Sequence, residues 1–259
     1  MEPPGSPDSP NRFRVGCAGW SIAAQHAHLF GEGASMLARY ATRFNATEIN
    51  SSFYRSHQQK TYVRWAESVP SGFRFSVKLP KTISHDLRLQ ACAGSMDGFL
   101  GEIQGLGGKL AGILVQLPPS LVFDGRIAST FFAMLRRRTD IALACEPRHA
   151  SWFGSKADGL FERHAINRVA ADPALCAEAA EPGMQGRWRY WRWHGSPRMY
   201  YSDYREAALA RLSQSVRNGT RQRTTPWVIF DNTAHGHALA NAARLQELLS
   251  APLPAPGER

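Results

Sequence analysis

The amino-acid sequence predicts an α/β protein, specifically a (β/α)8 TIM-type barrel in a single domain. Short apolar runs typical of buried strands recur eight times, and segments with helical periodicity separate most of them. The length of 259 residues also fits, because such barrels typically have about 250 residues. The main alternative is a doubly wound open sheet, but no predicted strand leads into the G-x-G-x-x-G turn of that fold.

In the first half of the chain, strands are predicted at residues 13–20, 46–52, 73–79 and 110–117. Helical patterns occupy residues 35–44, 59–69 and 93–106. The second helix is closed by Pro70 and Gly72, and the third by a pair of glycines. Two prolines, which cannot donate to a strand ladder, end the fourth strand.

In the second half, strands are predicted at residues 141–146, 166–171, 187–194 and 227–231, with helices at 125–138, 158–165 and 237–249. Residues 173–186 carry two prolines and two glycines, so an irregular segment with a stunted helix is expected between strands six and seven. Residues 1–12 and 251–259 are proline-rich and are predicted to be disordered tails around a domain at 13–250.

Composition narrows the class of protein. The four cysteines are far apart and form no C-x-x-C pair, which argues against a disulfide framework and against a thiolate zinc site. No apolar run approaches the ~20 residues of a membrane span, and no secretory signal is recognised, so we expect a cytoplasmic protein without a membrane partner. With 31 basic and 21 acidic residues, the charge favours phosphate-bearing or polyanionic partners, or serves solubility alone.

Every predicted strand ends in a side chain that can bond, ionise or stack, and a barrel keeps its active site at these carboxyl ends. The candidate catalytic residues are Glu48, Lys78, Glu146, His149, Asp172 and His194. The candidate substrate-binding residues are Trp20, Asn50, Gln116, Arg148, Trp152, Arg192, Asp231 and Asn232. Small residues two positions before Glu146 and Asp172 favour carboxylates that point into the mouth, whereas Trp191 and Trp193 are predicted to be core.

Seven segments resemble, in their order and spacing, the YecE-like family, a domain-of-unknown-function family with a TIM barrel fold: GCAGWS, TEINSSFYR, FRFSVKLPKTISHD, LVQLPPS, EPRHASW, YWRWHGS and WVIFDNT. The resemblance covers about residues 14–249 and implies the barrel, but no established reaction. It places nine candidates in family motif positions: Glu48, Asn50, Lys78, Gln116, Glu146, Arg148, His149, Trp152 and His194. The chain departs from the family at Pro147, Ala150 and Asp231, and in a shorter segment after Trp20.

The first functional hypothesis is acid–base or electrostatic catalysis on a small anionic substrate, without a required cofactor; an enzyme of this kind would most readily be a hydrolase. Glu48 and Glu146 would act as acid and base across the mouth. Lys78, Arg148 and Arg192 would hold phosphate or carboxylate.

Two alternatives remain open at this stage. A metal-dependent phosphoesterase or nuclease-like hydrolase would take its divalent ion on carboxylates and His194, with the pairs His26/His28 and His235/His237 more typical of ordinary loop residues. A non-enzymatic nucleic-acid binder would use the aromatic and basic stretch RMYYSDYR at 198–205. The oligomeric state is not determined by the sequence.

Overall fold

The computed structural model describes residues 13–183, 188–220 and 225–251. In these residues nine short strands follow one another along the chain: β1 Arg14–Cys17, β2 Ala46–Ile49, β3 Arg74–Lys78, β4 Leu110–Gln116, β5 Ala142–Glu146, β6 Ile166–Arg168, β7 Ala170–Asp172, β8 Tyr190–Trp193 and β9 Trp227–Phe230. The α-helices of the same residues are α1 Met36–Tyr40, α2 Gln59–Glu67, α3 Ala93–Ile103, α4 Gly125–Arg136, α5 Ser155–Arg163, α6 Glu206–Thr220 and α7 His237–Ser250.

Several connections contain a short helical turn. Turns of 3-10 geometry lie at Ala24–Leu29, Ser51–Phe53, Gln104–Lys109, Ala150–Trp152 and Ala177–Ala179, and a π-helical turn lies at Thr82–Asp86.

All strand pairings are parallel, which confirms the predicted parallel α/β class. The strands form two sheets with the orders β2-β3-β4-β5-β6 and β1-β9-β8-β7. Parallel strands need crossover connections, and α-helices lie between most of the successive strands.

The two sheets meet at two places. Ala18, just after β1, bridges to Glu48 of β2, and the amide of Gly19 donates to the Glu48 carbonyl at 2.9 Å. On the other side, only Val169 separates β6 from β7. Its amide bonds to the Cys145 carbonyl of β5 at 2.8 Å, whereas the next residue, Ala170, is already paired with Trp191 of β8. The chain therefore passes from one sheet to the other at Val169. For this reason the structure has two strands, β6 and β7, where a single strand was predicted at 166–171.

One helix was not predicted from the sequence. Helix α6 lies between β8 and β9, where no element was predicted, and it buries Leu209, Leu212 and Val216. Their spacing of three and four residues is the usual sign of an amphipathic helix. The predicted tails lie outside the described residues, except for Ala251. Residues 184–187 of the predicted irregular segment also lie outside them.

The core has two parts. The larger part packs the helices against the outer faces of the sheets. The smaller part is shared by strands of both sheets and contains Ala46, Leu114, Ala144, Val169, Trp188, Tyr190, Trp227 and Ile229. Because side chains alternate along a strand, the residue two positions further on belongs to the same face. Five polar residues follow the small cluster in this way: Glu48, Gln116, Glu146, Arg192 and Asp231.

Within the described residues, no helix combines the length and the apolar character that crossing a membrane requires.

Candidate active site

Seven charged side chains gather at the carboxyl ends of the strands: Glu48, Lys78, Glu146, Arg148, Arg192, His194 and Asp231. We call this set the charged cluster, and all seven were predicted site residues. Six of them are buried, and the side chain of Arg148 is 16% exposed. A buried charge is costly unless it is paired, so the contacts within the cluster determine what it can do.

Arg192 lies at the centre of the charged cluster and contacts all three carboxylates. Its Nη2 is 2.8 Å from Glu48 Oε1 and 2.9 Å from Asp231 Oδ2, and its Nη1 is 3.2 Å from Glu146 Oε2. Its Nε donates to Glu48 Oε2 at 3.0 Å. Burial alone would lower the pKa of Arg192, but the three carboxylates outweigh it and hold that pKa well above its ordinary value.

His194 joins the other two carboxylates. Its Nε2 is 2.9 Å from Glu146 Oε1, and its Nδ1 is 3.0 Å from Asp231 Oδ2. Burial opposes protonation, and so does Arg192, but Glu146 and Asp231 prevail and the pKa of His194 is raised. In the protonated form both ring nitrogens donate, which matches the two carboxylate contacts.

The carboxylates respond in the opposite sense. Burial favours the neutral form of Glu146, yet His194, Arg192 and Arg148 together hold its pKa well below the ordinary value. The pKa of Asp231 is also lowered, because Arg192 and His194 outweigh its burial. Both groups are therefore ionised at neutral pH.

Neutral hydroxyl and amide groups complete the contacts. Tyr190 Oη donates to Glu48 Oε2 at 2.9 Å and is itself 2.8 Å from Ser76 Oγ. Gln116, another candidate, donates through Nε2 to Glu146 Oε1 at 3.2 Å. Tyr190 and Ser76 were not predicted. Each lies two positions before a predicted residue, Arg192 or Lys78, and this same-face spacing was the signal available in the sequence.

Arg148 is the most exposed cation of the charged cluster. Its Nη1 pairs with Glu146 Oε1 at 2.7 Å, and its Nη2 lies 3.2 Å from the Met199 sulfur. Met199 and Tyr200 belong to the loop at 195–204, and the Tyr200 ring contacts the His194 ring edge-on at 5.8 Å. This loop therefore covers one side of the cluster.

Lys78 differs from the other cations of the charged cluster. Its Nζ lies 4.0 Å from the centre of the Phe53 ring. Burial and the charge of Arg192 lower the pKa of Lys78 to about 8, although Glu48, Asp231 and Glu146 act against them.

Asp172 is not brought into the charged cluster. The register pairs Ala171 with Arg192 and Asp172 with Trp193, so the Asp172 side chain lies on the opposite face of the sheet from Arg192. Its Oδ1 accepts a hydrogen bond from Tyr204 Oη at 2.7 Å. The expectation that this carboxylate points into the mouth is wrong in this structure. The chain changes sheets at Val169, and the register of the new strand β7 pairs Asp172 with Trp193.

Three other predicted residues have structural contacts. Trp152 is buried, and its Nε1 donates to the Leu121 carbonyl at 2.9 Å. His149 accepts from the Ser151 amide through Nδ1 at 3.2 Å and so caps the turn Ala150–Trp152. Trp20 packs edge-on against Trp65 at 5.0 Å.

The two predicted asparagines lie at the bases of loops. Asn232 Nδ2 donates to Ser202 O at 2.9 Å and to Asn241 Oδ1 at 2.8 Å, which ties the segment after β9 to the loop at 195–204. Asn50 precedes the turn Ser51–Phe53, and its Oδ1 is buried without a hydrogen-bond partner among the described residues. As expected, Trp191 is buried in the larger core, and Trp193 packs against it.

The charged cluster does not have the arrangement of a metal centre. In the part of the chain that the structure describes, no group of three His, Cys, Asp or Glu side chains could hold a metal ion. The physical reason is Arg192, whose guanidinium lies among the three carboxylates that would otherwise be the ligands.

Two clefts in the described part of the chain lie beside the charged cluster. A cleft of about 720 Å³ between β8 and α6 is lined by Asp172, Trp193 and Tyr204. A second, of about 540 Å³, lies between the segments after β1 and β9 and includes Ser21 and His235. Arg148 is the side chain of the cluster that reaches its edge.

A parallel α/β fold with buried charges at the carboxyl ends of its strands defines the class of this protein. The family model described as "Protein of unknown function DUF72" matches residues 14–258, and the chain belongs to this family. The resemblance recognised in the sequence motifs is thereby confirmed.

Relatives by sequence are the UPF0759 proteins YecE of two Escherichia coli strains. One is 28% identical over 165 residues, which are 61% of this chain and 58% of that protein. The other, from strain O157:H7, is 32% identical over 104 residues, which are 40% of this chain and 37% of that protein. The matched part is thus less than two thirds of either relative.

Solved structures show the same fold. A DUF72 family protein from Enterococcus faecalis superimposes with a TM-score of 0.77 at 21% identity, covering 93% of this chain and 97% of the other. A DUF72 family protein from Thermotoga maritima gives 0.77 at 24% identity, covering 92% and 99%. At these identities the likeness concerns the fold alone.

Proposed function

We propose that the two sheets close into one (β/α)8 barrel, in a single domain at 13–250. The bridge from Ala18 to Glu48 and the passage at Val169 join the sheets on both sides. The small apolar cluster, to which both sheets contribute, then fills the barrel interior. On this proposal the charged cluster lies at the mouth, where barrels of this kind carry their chemistry.

We further propose that the charged cluster is the active site of an enzyme that acts on a small anionic substrate. The observation that carries this proposal is the charge balance: three carboxylates face four cationic groups. Because one positive charge is in excess and Arg148 reaches the edge, an entering phosphate or carboxylate would complete the pairing.

The same contacts support acid–base chemistry. Glu146 and Asp231 keep His194 protonated, so that His194 acts as the acid and Glu146 holds it in place. Arg148 binds the anion, and Arg192 fixes the three carboxylates. Hydrolysis is the reaction class that we propose for this arrangement. A metal-dependent route is the weaker alternative because Arg192 occupies the position of the cation.

The proposal is tested with inorganic phosphate and p-nitrophenyl phosphate. We expect calorimetry to detect phosphate binding by the wild-type protein, and Arg148→Leu to weaken it by about tenfold or more, since a charge-assisted contact contributes about 1.5–3 kcal/mol. Arg244→Leu is the matched control, because Arg244 is an exposed arginine in a surface ion pair.

Turnover is measured with the same proteins. Glu146→Gln should abolish hydrolysis of p-nitrophenyl phosphate while leaving the circular dichroism spectrum unchanged. If phosphate binding is absent in the wild type, or equal in Arg148→Leu and Arg244→Leu, the site is not an anion site. A Glu146→Gln variant with wild-type kcat would contradict the role of Glu146.

A second candidate function is the binding of a single-stranded nucleic acid without turnover. The observation in its favour is the exposure of Tyr200 and Tyr201, with Arg198 stacked over the Tyr201 ring at 4.1 Å. Affinity for oligothymidylate that falls steeply with salt, and that is reduced in Tyr200→Ala with Tyr201→Ala, would favour it.

A further inference from the structure

Lys78 is the one cation of the charged cluster whose charge is not matched by a close carboxylate. All three carboxylates pair with Arg192, and two of them also contact His194. The partner that the structure shows for Lys78 among the described residues is the Phe53 ring. The Lys78 side chain is thus buried, and among the described residues no carboxylate lies close enough to its amine to stabilise the ammonium form by a direct ion pair.

Lysine is rare in this chain. The protein has five lysines, at positions 60, 78, 81, 109 and 156, among 31 basic residues. The other four are ordinary: Lys60 and Lys156 are exposed, Lys81 is 3.6 Å from Asp86, and Lys109 donates to two carbonyl groups. At position 78 an arginine would remain charged at any working pH, whereas a lysine can become neutral.

The surroundings favour the neutral amine. Burial and Arg192 lower the pKa of Lys78 to about 8, against the effect of Glu48, Asp231 and Glu146. His85 also faces this group, since burial and then Lys78 lower the pKa of His85. At pH 7 roughly a tenth of Lys78 is therefore unprotonated, far more than of an exposed lysine with the usual pKa of about 10.4.

We propose that Lys78 is a nucleophile that forms an imine with a small aldehyde or ketone bearing an anionic group. This inference rests on the proposed function, because Arg148 would bind the anionic group of the substrate while Lys78 Nζ attacks its carbonyl carbon. It names the substrate class of the same site.

The step balances without an oxidant or a reductant. The Nζ lone pair attacks the carbonyl carbon, and one Nζ proton passes to the carbonyl oxygen, which gives a neutral carbinolamine. Loss of that oxygen as water, with one proton taken from solvent or from His194, leaves a protonated imine between Nζ and the substrate carbon. The protonated imine keeps a positive charge on Nζ, and the negative charges of Glu48, Asp231 and Glu146 favour a positive charge at this atom.

The experiment uses pyruvate as the probe and sodium borohydride to reduce the imine to a stable secondary amine. The adducts are located by peptide mass spectrometry on the full-length protein. We expect at least about tenfold more adduct on Lys78 than on any exposed lysine at neutral pH, because its neutral fraction is larger. The yield should rise with pH through about 8.

Two matched variants serve as controls. Lys78→Arg keeps the positive charge but removes the nucleophile, so the adduct at position 78 should disappear. Lys81→Arg removes an exposed lysine three residues away and should leave the adduct on Lys78 unchanged.

The outcomes separate this inference from the proposed function. The imine inference is supported if the adduct forms on Lys78, is absent in Lys78→Arg and is unchanged in Lys81→Arg. If phosphate binds through Arg148 but pyruvate with borohydride labels no lysine, or labels the exposed lysines as strongly as Lys78, the imine is wrong and the anion site stands. If phosphate does not bind and no adduct forms, both proposals are wrong.

Discussion

Replacing Arg192 by methionine tests whether the charged cluster is held together by this one guanidinium. Glu146 would keep His194 and Arg148 as partners, and Asp231 would keep His194. Glu48 would retain only the hydroxyl of Tyr190 among the contacts seen here. A buried carboxylate would therefore lose its counter-charge.

The expected loss follows from that change. Removing one partner of a buried ion pair costs about 3–5 kcal/mol of the free energy of unfolding, because the remaining charge is uncompensated. For a chain of this size, that corresponds to a fall of roughly 6–20 °C in Tm. Methionine has a similar length, so the effect reports the charge rather than a large cavity.

Urea denaturation, followed by circular dichroism at neutral pH, measures this loss. Arg244→Met is the matched control: its pair with Glu206 is just as short, at 2.7 Å, but it is exposed. A surface pair of this kind contributes about 1 kcal/mol or less. Adding Glu48→Gln to Arg192→Met should recover part of the stability, because it removes the unpaired charge. If Arg192→Met loses no more stability than Arg244→Met, or if adding Glu48→Gln restores none of it, Arg192 does not hold the buried carboxylates together.

Two further predictions concern the pH response and the packing of the fold. Because the folded pKa of His194 is raised, its contribution to stability is complete below the usual histidine pKa of about 6.5 and is lost as pH rises through the folded value. The stability deficit of His194→Gln should therefore be larger at about pH 6 than at about pH 9, and an equal deficit by urea denaturation at both would contradict the assignment. In Gly16→Ala, the added Cβ would lie 1.9 Å from the Ala46 carbonyl oxygen, so we expect a loss of about 1–3 kcal/mol or more. Gly72→Ala has open space around it and should change the unfolding midpoint little; equal midpoints for the two variants would rule out the close contact.

Much of the site could be predicted because a parallel sheet brings the carboxyl ends of its strands to one edge. Glu48, Glu146, Arg192 and His194 were identified as candidates from their place at the strand ends alone. Their partners could not be identified, since the sequence does not show which carboxylate each cation pairs with. In the structure Arg192 takes all three, and Lys78 is left against Phe53.

Asp172 shows most clearly what the sequence leaves undecided. Because side chains alternate along a strand, the sequence shows which residues share a face of the sheet. The alternation alone does not show which of the two faces is enclosed. The small residue two positions before Glu146 lies in the smaller core, on the face of the charged cluster, whereas the small residue two positions before Asp172 lies in the larger core. The register of β7 against β8 decided the matter by pairing Asp172 with Trp193.

By itself, then, the sequence determined the parallel α/β class, the order of most elements and the family, because these depend on local periodicity and on motifs that are contiguous in the chain. The tertiary structure alone decided which charges are paired, which face Asp172 occupies and which amine is left without a carboxylate. Those properties depend on register and on contacts between residues far apart in the chain, from 46 positions for Glu146 and Arg192 to 144 for Glu48 and Arg192, and no local pattern encodes such contacts.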